Sequence, residues 1–414
     1  MISGRRAGLL AGLLGLSAFT PAIAQTPDTA NAPRIAIITV GPGPLVWELF
    51  GHNMIRVTYP GGGPDLAYNF GIFDFNQENF YWNFLQGRML YSTAVSDASY
   101  EVNRYRRTGR SMEVQELDLS PEAARTLAAN LARNALPEFR DYRYDYYLDN
   151  CSTRVRDALN VSLGGGLERR LTRLPTTSTF RSRTAELVAG NPAVYFGLML
   201  MLGPSTDRPL TAWQESFIPM DLARYLAEAT TGGGAAGMGP LVTVSSLEPA
   251  RGAMARPVPS PRSWLGWFLA LGVALGGGMA WAGGRCGAGR GRGVFLVGGA
   301  AWSLLCGMAG FAMLYLWAFT DHAVSYRNEN LLQANVLGLV IFGLLAGWAR
   351  RGGPVPDGVR RLADVVAVLS VAGVLLQALP WFDQANAEAL VLFVPANLGM
   401  ALGARRASAT SGPH

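Results

Sequence analysis

The chain is 414 residues long, half of it hydrophobic and only 15% charged, with a formal net charge of +6. All 35 of its basic residues are arginine. Residues 25–262 hold 23 arginines against 23 acids, so the whole excess lies in the first residues and the C-terminal half; this excludes a nucleic-acid partner and reads as a membrane topology signal.

Arg5 and Arg6 precede an apolar run from Ala7 to Phe19, followed by Pro21 and the small-residue triplet Ala22-Ile23-Ala24. That is the pattern of a secretory signal, residues 1–24, cleaved before Gln25; the run is shorter than the ~20 residues of a bilayer span. Residues 25–230 then read as an exported α+β domain. Arg34 to Val40 is a strand and Leu45 to Phe50 a short helix. His52 opens a second strand that shares a face with Met54, Arg56 and Thr58. Gly61-Gly-Gly-Pro is a turn, and Leu66 to Phe70 the returning strand. Gln77 to Leu85 reads as an aromatic helix and Ser111 to Leu119 as a strand. Ser120-Pro121 starts a helix that ends near Leu136, serine as cap and proline in the first turn.

The segment with chemistry follows. Asp149 and Asn150 are helix-capping residues, and Ser152 to Leu159 has the periodicity of a helix with Val155, Ala158 and Leu159 turned inward. Cys151 therefore falls at a helix N-terminus, where unpaired amides and the dipole are expected to lower a thiol pKa and to supply donors for an oxyanion. Further on, Ala193 to Gly203 is uncharged but too short to span a bilayer, and reads as a core helix or a headgroup-level surface.

A Gly/Pro/Ser-rich stretch at 231–263 reads as a linker to a membrane domain at 264–404. Five apolar segments are expected to span, at 264–282, 293–319, 331–349, 363–379 and 389–404, with a tail at 405–414. Arg285, Arg290 and Arg292, then Arg350, Arg351, Arg360 and Arg361, then Arg405 and Arg406 mark one side of the bilayer. By the positive-inside rule that side is cytoplasmic, which puts residues 25–262 and the loops at 320–330 and 380–388 outside.

Cys151 and His52 are the one cysteine and the one histidine of the exported part. A lone cysteine outside the cytoplasm has no partner for a structural disulfide, which favours a catalytic thiol with His52 as its base; the competing reading is a buried, inert cysteine. Asn69, on the strand expected beside His52, is the first choice to orient the imidazole, and Asp74 the second. Three scattered histidines give no metal-ligand spacing, and the glycine-rich stretches lack the context of a phosphate loop, so neither metal nor cofactor is expected.

The order His then Cys, with Asn-Cys-Ser-Thr-Arg at a helix start, resembles the circularly permuted papain-like proteins, among them the NlpC-type peptidases and the lecithin-retinol acyltransferases. Phe50-Gly-His-Asn-Met-Ile-Arg-Val, Tyr68-Asn-Phe-Gly-Ile-Phe-Asp-Phe and Asn150-Cys-Ser-Thr-Arg-Val-Arg-Asp are more closely similar to the periplasmic N-terminal domain of the Lnb family, which carries that domain on a C-terminal membrane bundle. The resemblance implies a permuted papain-like α+β domain ahead of an all-α bundle of about five transmembrane helices, in a multi-pass inner-membrane protein. It makes Cys151 the nucleophile and His52 the base, and its similar Thr320-to-Asn330 loop adds His322 to Asn150 as an accessory residue. The activity implied is acyltransfer: N-acylation of the N-terminal diacylglyceryl-cysteine of an apolipoprotein through a Cys151 thioester, with membrane phospholipid as the second substrate. Two alternatives stay open from the residues alone, an NlpC-type cell-wall peptidase or amidase and a non-catalytic membrane scaffold.

Overall fold

The computed structural model describes residues 31–234, 237–255, 263–288 and 290–409. The expected signal segment, residues 1–24, lies outside them. A hairpin-rich beginning sets the architecture: β1 (Arg34–Val40), β2 (His52–Thr58), β3 (Asp65–Ile72), α1 (Phe80–Gln86), β4 (Leu90–Asp97), α2 (Ala98–Thr108), β5 (Met112–Leu117), α3 (Pro121–Asn134), β6 (Asp141–Arg143) and α4 (Cys151–Ser162). Smaller elements follow, α5 (Gly166–Leu171), β7 (Pro175–Thr179), α6 (Phe180–Val188), α7 (Pro192–Met201), β8 (Pro209–Thr211), α8 (Ala212–Glu215) and α9 (Pro219–Ala227). After β9 (Thr230–Gly234) and β10 (Gly237–Pro240), β11 (Val242–Glu248) closes the exported part.

Seven strands form one antiparallel sheet in the order β11-β5-β1-β2-β3-β4-β6. Alternation decides its two faces. Ile35, Ile37, Ile55, Val57, Tyr68 and Phe70 pack under α3 and α4 with Leu127, Leu131, Val155 and Leu159. Ile38, Val40, Met54 and Ala67 turn to the other face, under Ala98 and Tyr105 of α2. Register makes His52 the first residue of β2, opposite Val40 at the end of β1, and sets Asn69 beside Met54.

The segment expected as a linker at 231–263 is in part sheet. β11 pairs along β5 from Val242 to Glu248, because alternating Val-Thr-Val-Ser-Ser-Leu satisfies an edge whose backbone groups would otherwise lack partners. The expected short helix at 45–50 is a single 3-10 turn, Val46–Glu48.

The membrane half consists of α10 (Ser263–Gly283), α11 (Arg290–Phe319), α12 (Leu337–Arg351), α13 (Asp357–Leu376) and α14 (Ala387–Ala409). Four segments, 264–283, 291–319, 329–351 and 387–409, are long and apolar enough to cross a membrane. The remaining expected span, 363–379, corresponds to α13, which starts earlier and carries Asp357, Arg360, Arg361 and Asp364 in its first two turns. Those charges shorten its apolar stretch, yet it packs into the same core through Val359, Ala363 and Val366. Glycine lets α10 and α14 touch backbone to backbone: a Cβ on Gly276 would fall 2.1 Å from the Pro395 carbonyl oxygen. Small residues at the contact are how helices pack in lipid, where no hydrophobic drive separates them from their solvent. Trp267, Leu305, Val368 and Leu375 stand exposed around the bundle, as lipid-facing residues do.

Connections sort to its two ends. At one end Arg405 bonds Asp364 at 2.8 Å, Arg406 bonds the Ala280 carbonyl, and Arg292 lies over Trp348. At the other end Asn328 and Gln384 donate to the carbonyls of Leu200 and Leu202 at the end of α7, and Tyr195 of α7 donates to Glu388 at 2.6 Å. The helix at 193–203 is thus the joint between domain and bundle, with Tyr195 and Met199 in the exported domain's core and Phe196 against Phe268 and Phe393.

Candidate active site

The first residue of α4 comes against the start of β2 at one rim of the sheet, through the backbone of Asn53. Asn150 caps α4: its side-chain oxygen accepts the amides of Ser152 and Thr153, both at 2.9 Å, and its amide group donates to the Tyr146 and Phe217 carbonyls. Ser152 Oγ donates to the Ser216 carbonyl at 2.7 Å and accepts from Asn53 Nδ2 at 3.2 Å. The helix start is therefore clamped both to β2 and to the connection at 213–217, whose Trp213 carbonyl also accepts from Arg156. Asp149 does not cap; it holds a bidentate pair with Arg154.

This clamp places the Cys151 sulfur against the backbone N–H of Asn53, the residue that follows His52. His52 Nε2 is 3.0 Å from Asn69 Oδ1 on β3, so sequence-nominated Asn69 touches the imidazole. Asp74 does not; it is exposed in a turn and accepts from Asn76. Gly71, near the end of β3, is called for by its backbone conformation and not by crowding. Its φ is +80°, and a Cβ there would lie 3.5 Å from both Cys151 Cβ and the Tyr144 ring.

Burial sets the protonation states. The His52 imidazole is pushed down to about 4, chiefly by burial, against the opposing bond from Asn69; the charges of Arg110 and Arg104 add to the fall. Burial also pushes the Cys151 thiol up from its ordinary 9.0, and the N–H groups of Asn53 and Ser152 with the charge of Arg110 offset it only in part. The helix start thus fails to lower the thiol as the sequence suggested. The Thr153 amide is spent on Asn150 and the Ser152 amide is shared with it, and desolvation outweighs what remains. The resting pair is a neutral thiol and a neutral imidazole.

Two groups that no sequence motif indicates also face this rim. Arg110 is 5% exposed; its Nε donates to the Gly41 carbonyl, Nη1 pairs with Glu48 at 3.3 Å, and Nη2 is a buried donor without a protein partner. Tyr105 lies with its ring 6.3 Å from the His52 ring and 5.2 Å from the Arg110 guanidinium. A single arginine between a helix and a strand carries no pattern, so only the register of β1 against β5 reveals it.

His322, in the loop after α11, reaches the same side of the domain. Its Nε2 is 2.9 Å from the Phe84 carbonyl, and its ring stacks at 6.2 Å on Tyr146. Tyr146 in turn meets Tyr144, the ring beside Cys151. Cys286 and Cys306 are buried in the bundle, away from this rim. Among the described residues no cluster of three or more His, Cys, Asp or Glu could hold a metal ion.

Residues 22–184 match the family model described as the Lnb N-terminal periplasmic domain. No curated protein and no solved structure matches. The chain carries an Lnb-type N-terminal domain and is a membrane protein with a periplasmic domain ahead of its spanning helices.

Proposed function

We propose that this protein is a membrane-anchored thiol acyltransferase of the inner membrane that N-acylates the N-terminal diacylglyceryl-cysteine of lipoproteins through a thioester on Cys151. The observation that carries the reading is the joint placement of Cys151 at the α4 start, the Asn53 amide against its sulfur, and His52 held by Asn69. A cysteine-bearing helix laid on an antiparallel sheet that supplies histidine and asparagine from adjacent strands supports the permuted papain-like arrangement.

In the first step Nε2 of His52 is committed to Asn69, which leaves Nδ1 to take the thiol proton as sulfur attacks the acyl ester of a glycerophospholipid. Because both groups rest neutral, the thiol proton has to pass to His52 for the attack to proceed. The N–H groups of Cys151 and Asn53, which bond the sulfur, are the donors nearest to the oxyanion that forms on the attacked carbonyl. Collapse breaks the ester C–O bond; the imidazolium returns its proton to the departing lysolipid alcohol, and the acyl group remains on sulfur. The lipoprotein α-amine then attacks the thioester, His52 takes its proton, and the thiolate leaves and is reprotonated as the amide forms. An amide does not revert under these conditions, which gives the sequence its direction. The bundle supports this reading because it confines enzyme and acylated substrates to one bilayer, raising their effective concentration.

The test is mass spectrometry. Purified protein mixed with phospholipid should gain one acyl group on Cys151, lost on adding a synthetic diacylglyceryl-cysteine peptide that gains it as an N-acyl amide. A Cys151 that stays unmodified, with cleavage of cell-wall peptides instead, would replace acyl transfer by hydrolysis.

A further inference from the structure

Helix α1 is short, yet its position relative to the bundle is fixed by several bonds. Gln86 at its end donates to Tyr315 Oη at 2.7 Å, and Tyr315 lies about one turn inside the outer end of α11. The Asp321 amide donates to the Gln86 carbonyl at 2.8 Å, and the Asp321 carboxylate bridges Arg88 and Arg143, each at 3.0 Å. Gly87, at φ +71°, gives the loop room: a Cβ there would meet the backbone of Asp321 and His322 at 3.0 Å. These contacts hold α1 level with the last turn of a spanning helix, where the hydrocarbon gives way to headgroups. At that level Tyr81 is 75% and Trp82 57% exposed, with Phe84 and Leu85 exposed beside them. Aromatic and aliphatic side chains left bare in that zone suit a bilayer interface and nothing aqueous.

From α1 a strip of rings, exposed at Phe84 and half-buried beyond it, runs towards the thiol. Phe84 stacks on Phe80 at 6.5 Å, Phe80 on Phe73 at 6.2 Å, Phe73 meets Tyr91 at 5.2 Å, and Tyr91 stacks on Tyr144 at 4.2 Å. Tyr144 and Cys151 then flank the same side of Gly71. We infer that α1 is an interfacial helix immersed in the outer leaflet, and that the aromatic strip from α1 to Gly71 receives a fatty acyl chain and leads its ester to Cys151. The immersion of α1 stands on its bonds to α11 and the following loop; the occupant of the strip rests on the acyl-transfer reading.

Two measurements on the full chain in phospholipid nanodiscs separate these. With a benzophenone amino acid at position 82, illumination should give lipid adducts at least fivefold above the same residue placed at Val161, an exposed site near the far end of α4. Equal adducts at the two positions overturn the immersion. For the strip, palmitoyl and acetyl nitrophenyl esters are compared as donors to Cys151 by intact mass. Phe73→Ala should lower the palmitoyl-to-acetyl ratio about tenfold, and Phe73→Leu should restore it; an unchanged ratio overturns the assignment. Should neither ester acylate wild-type Cys151 while position 82 still captures lipid, acyl transfer fails and the interfacial helix stands.

Discussion

The rim around Cys151 and the hub around Asn397 use polar side chains in opposite ways. Asn397 of α14 is buried against α11, α13 and the segment 329–351 with its amide fully used: Nδ2 donates to the Gln333 carbonyl at 2.9 Å and to Ser370 Oγ at 2.7 Å, and Oδ1 accepts from Trp302 at 2.9 Å. At the rim, Arg110 keeps a donor without a protein partner, His52 has one nitrogen held, and the thiol is half-buried. A fully bonded amide in low dielectric joins helices, whereas an unpaired donor beside a reactive thiol is available to a substrate. The contrast lies at Asn397 itself and not across its surroundings, since Oε1 of Gln333 and Nδ2 of Asn335 are buried there without partners.

The largest effect that would break this contrast is at the thiol. Cys151→Ala should abolish acyl transfer, by about 10³-fold or more, while α4 still folds because its cap is Asn150. A variant that keeps its rate by product mass spectrometry would reduce the rim to packing. His52→Gln should cost about 10²–10⁴-fold in the same assay, the usual worth of a general base.

The neutral resting pair has its own signature. A thiol lying above 9.0 has a thiolate fraction that grows about tenfold per pH unit throughout the range below it. Iodoacetamide should therefore label Cys151 about a hundredfold faster at pH 8.5 than at pH 6.5. A preformed thiolate–imidazolium pair would instead show a flat rate across that window, and such a plateau would refute the burial argument. The imidazole adds a limb only near pH 4, where its protonation removes the base; acylation should fall as pH drops through that value. Asn69→Ala, which frees the ring without removing it, should cost about tenfold, a small part of the full worth of a base.

Much of the rim was legible in the chain before its geometry. Cys151, Asn150 and Ser120 sit where capping rules put a helix start, and period-two alternation put His52 and Asn69 on neighbouring strands. What escaped was long-range. β4 and α2 carry Ser, Thr, Tyr and Arg on several faces, so neither period stands out, yet α2 supplies Tyr105 to the site. Arg110 reaches it because β5 pairs with β1, a contact that no local pattern encodes. The direction of the thiol shift was misread for a related reason. A helix start and the tyrosines before it can be seen in sequence, but how far the folded strands and rings strip water from it cannot.

The smallest predicted effect tests the other half of the contrast. Asn397→Leu removes bonds to Gln333, Ser370 and Trp302 at once, but in lipid the unfolded reference also finds partners, so such bonds are each worth only about 0.6 kcal/mol. The variant should lose about 1–2 kcal/mol in detergent-mediated unfolding, with Cys151 alkylation unchanged, since α11, α13 and α14 would loosen without moving the rim. A loss of alkylation equal to that of unfolding stability would mean that the hub also sets the site, through α7 and the loop bearing His322, and the two regions would then form one functional unit.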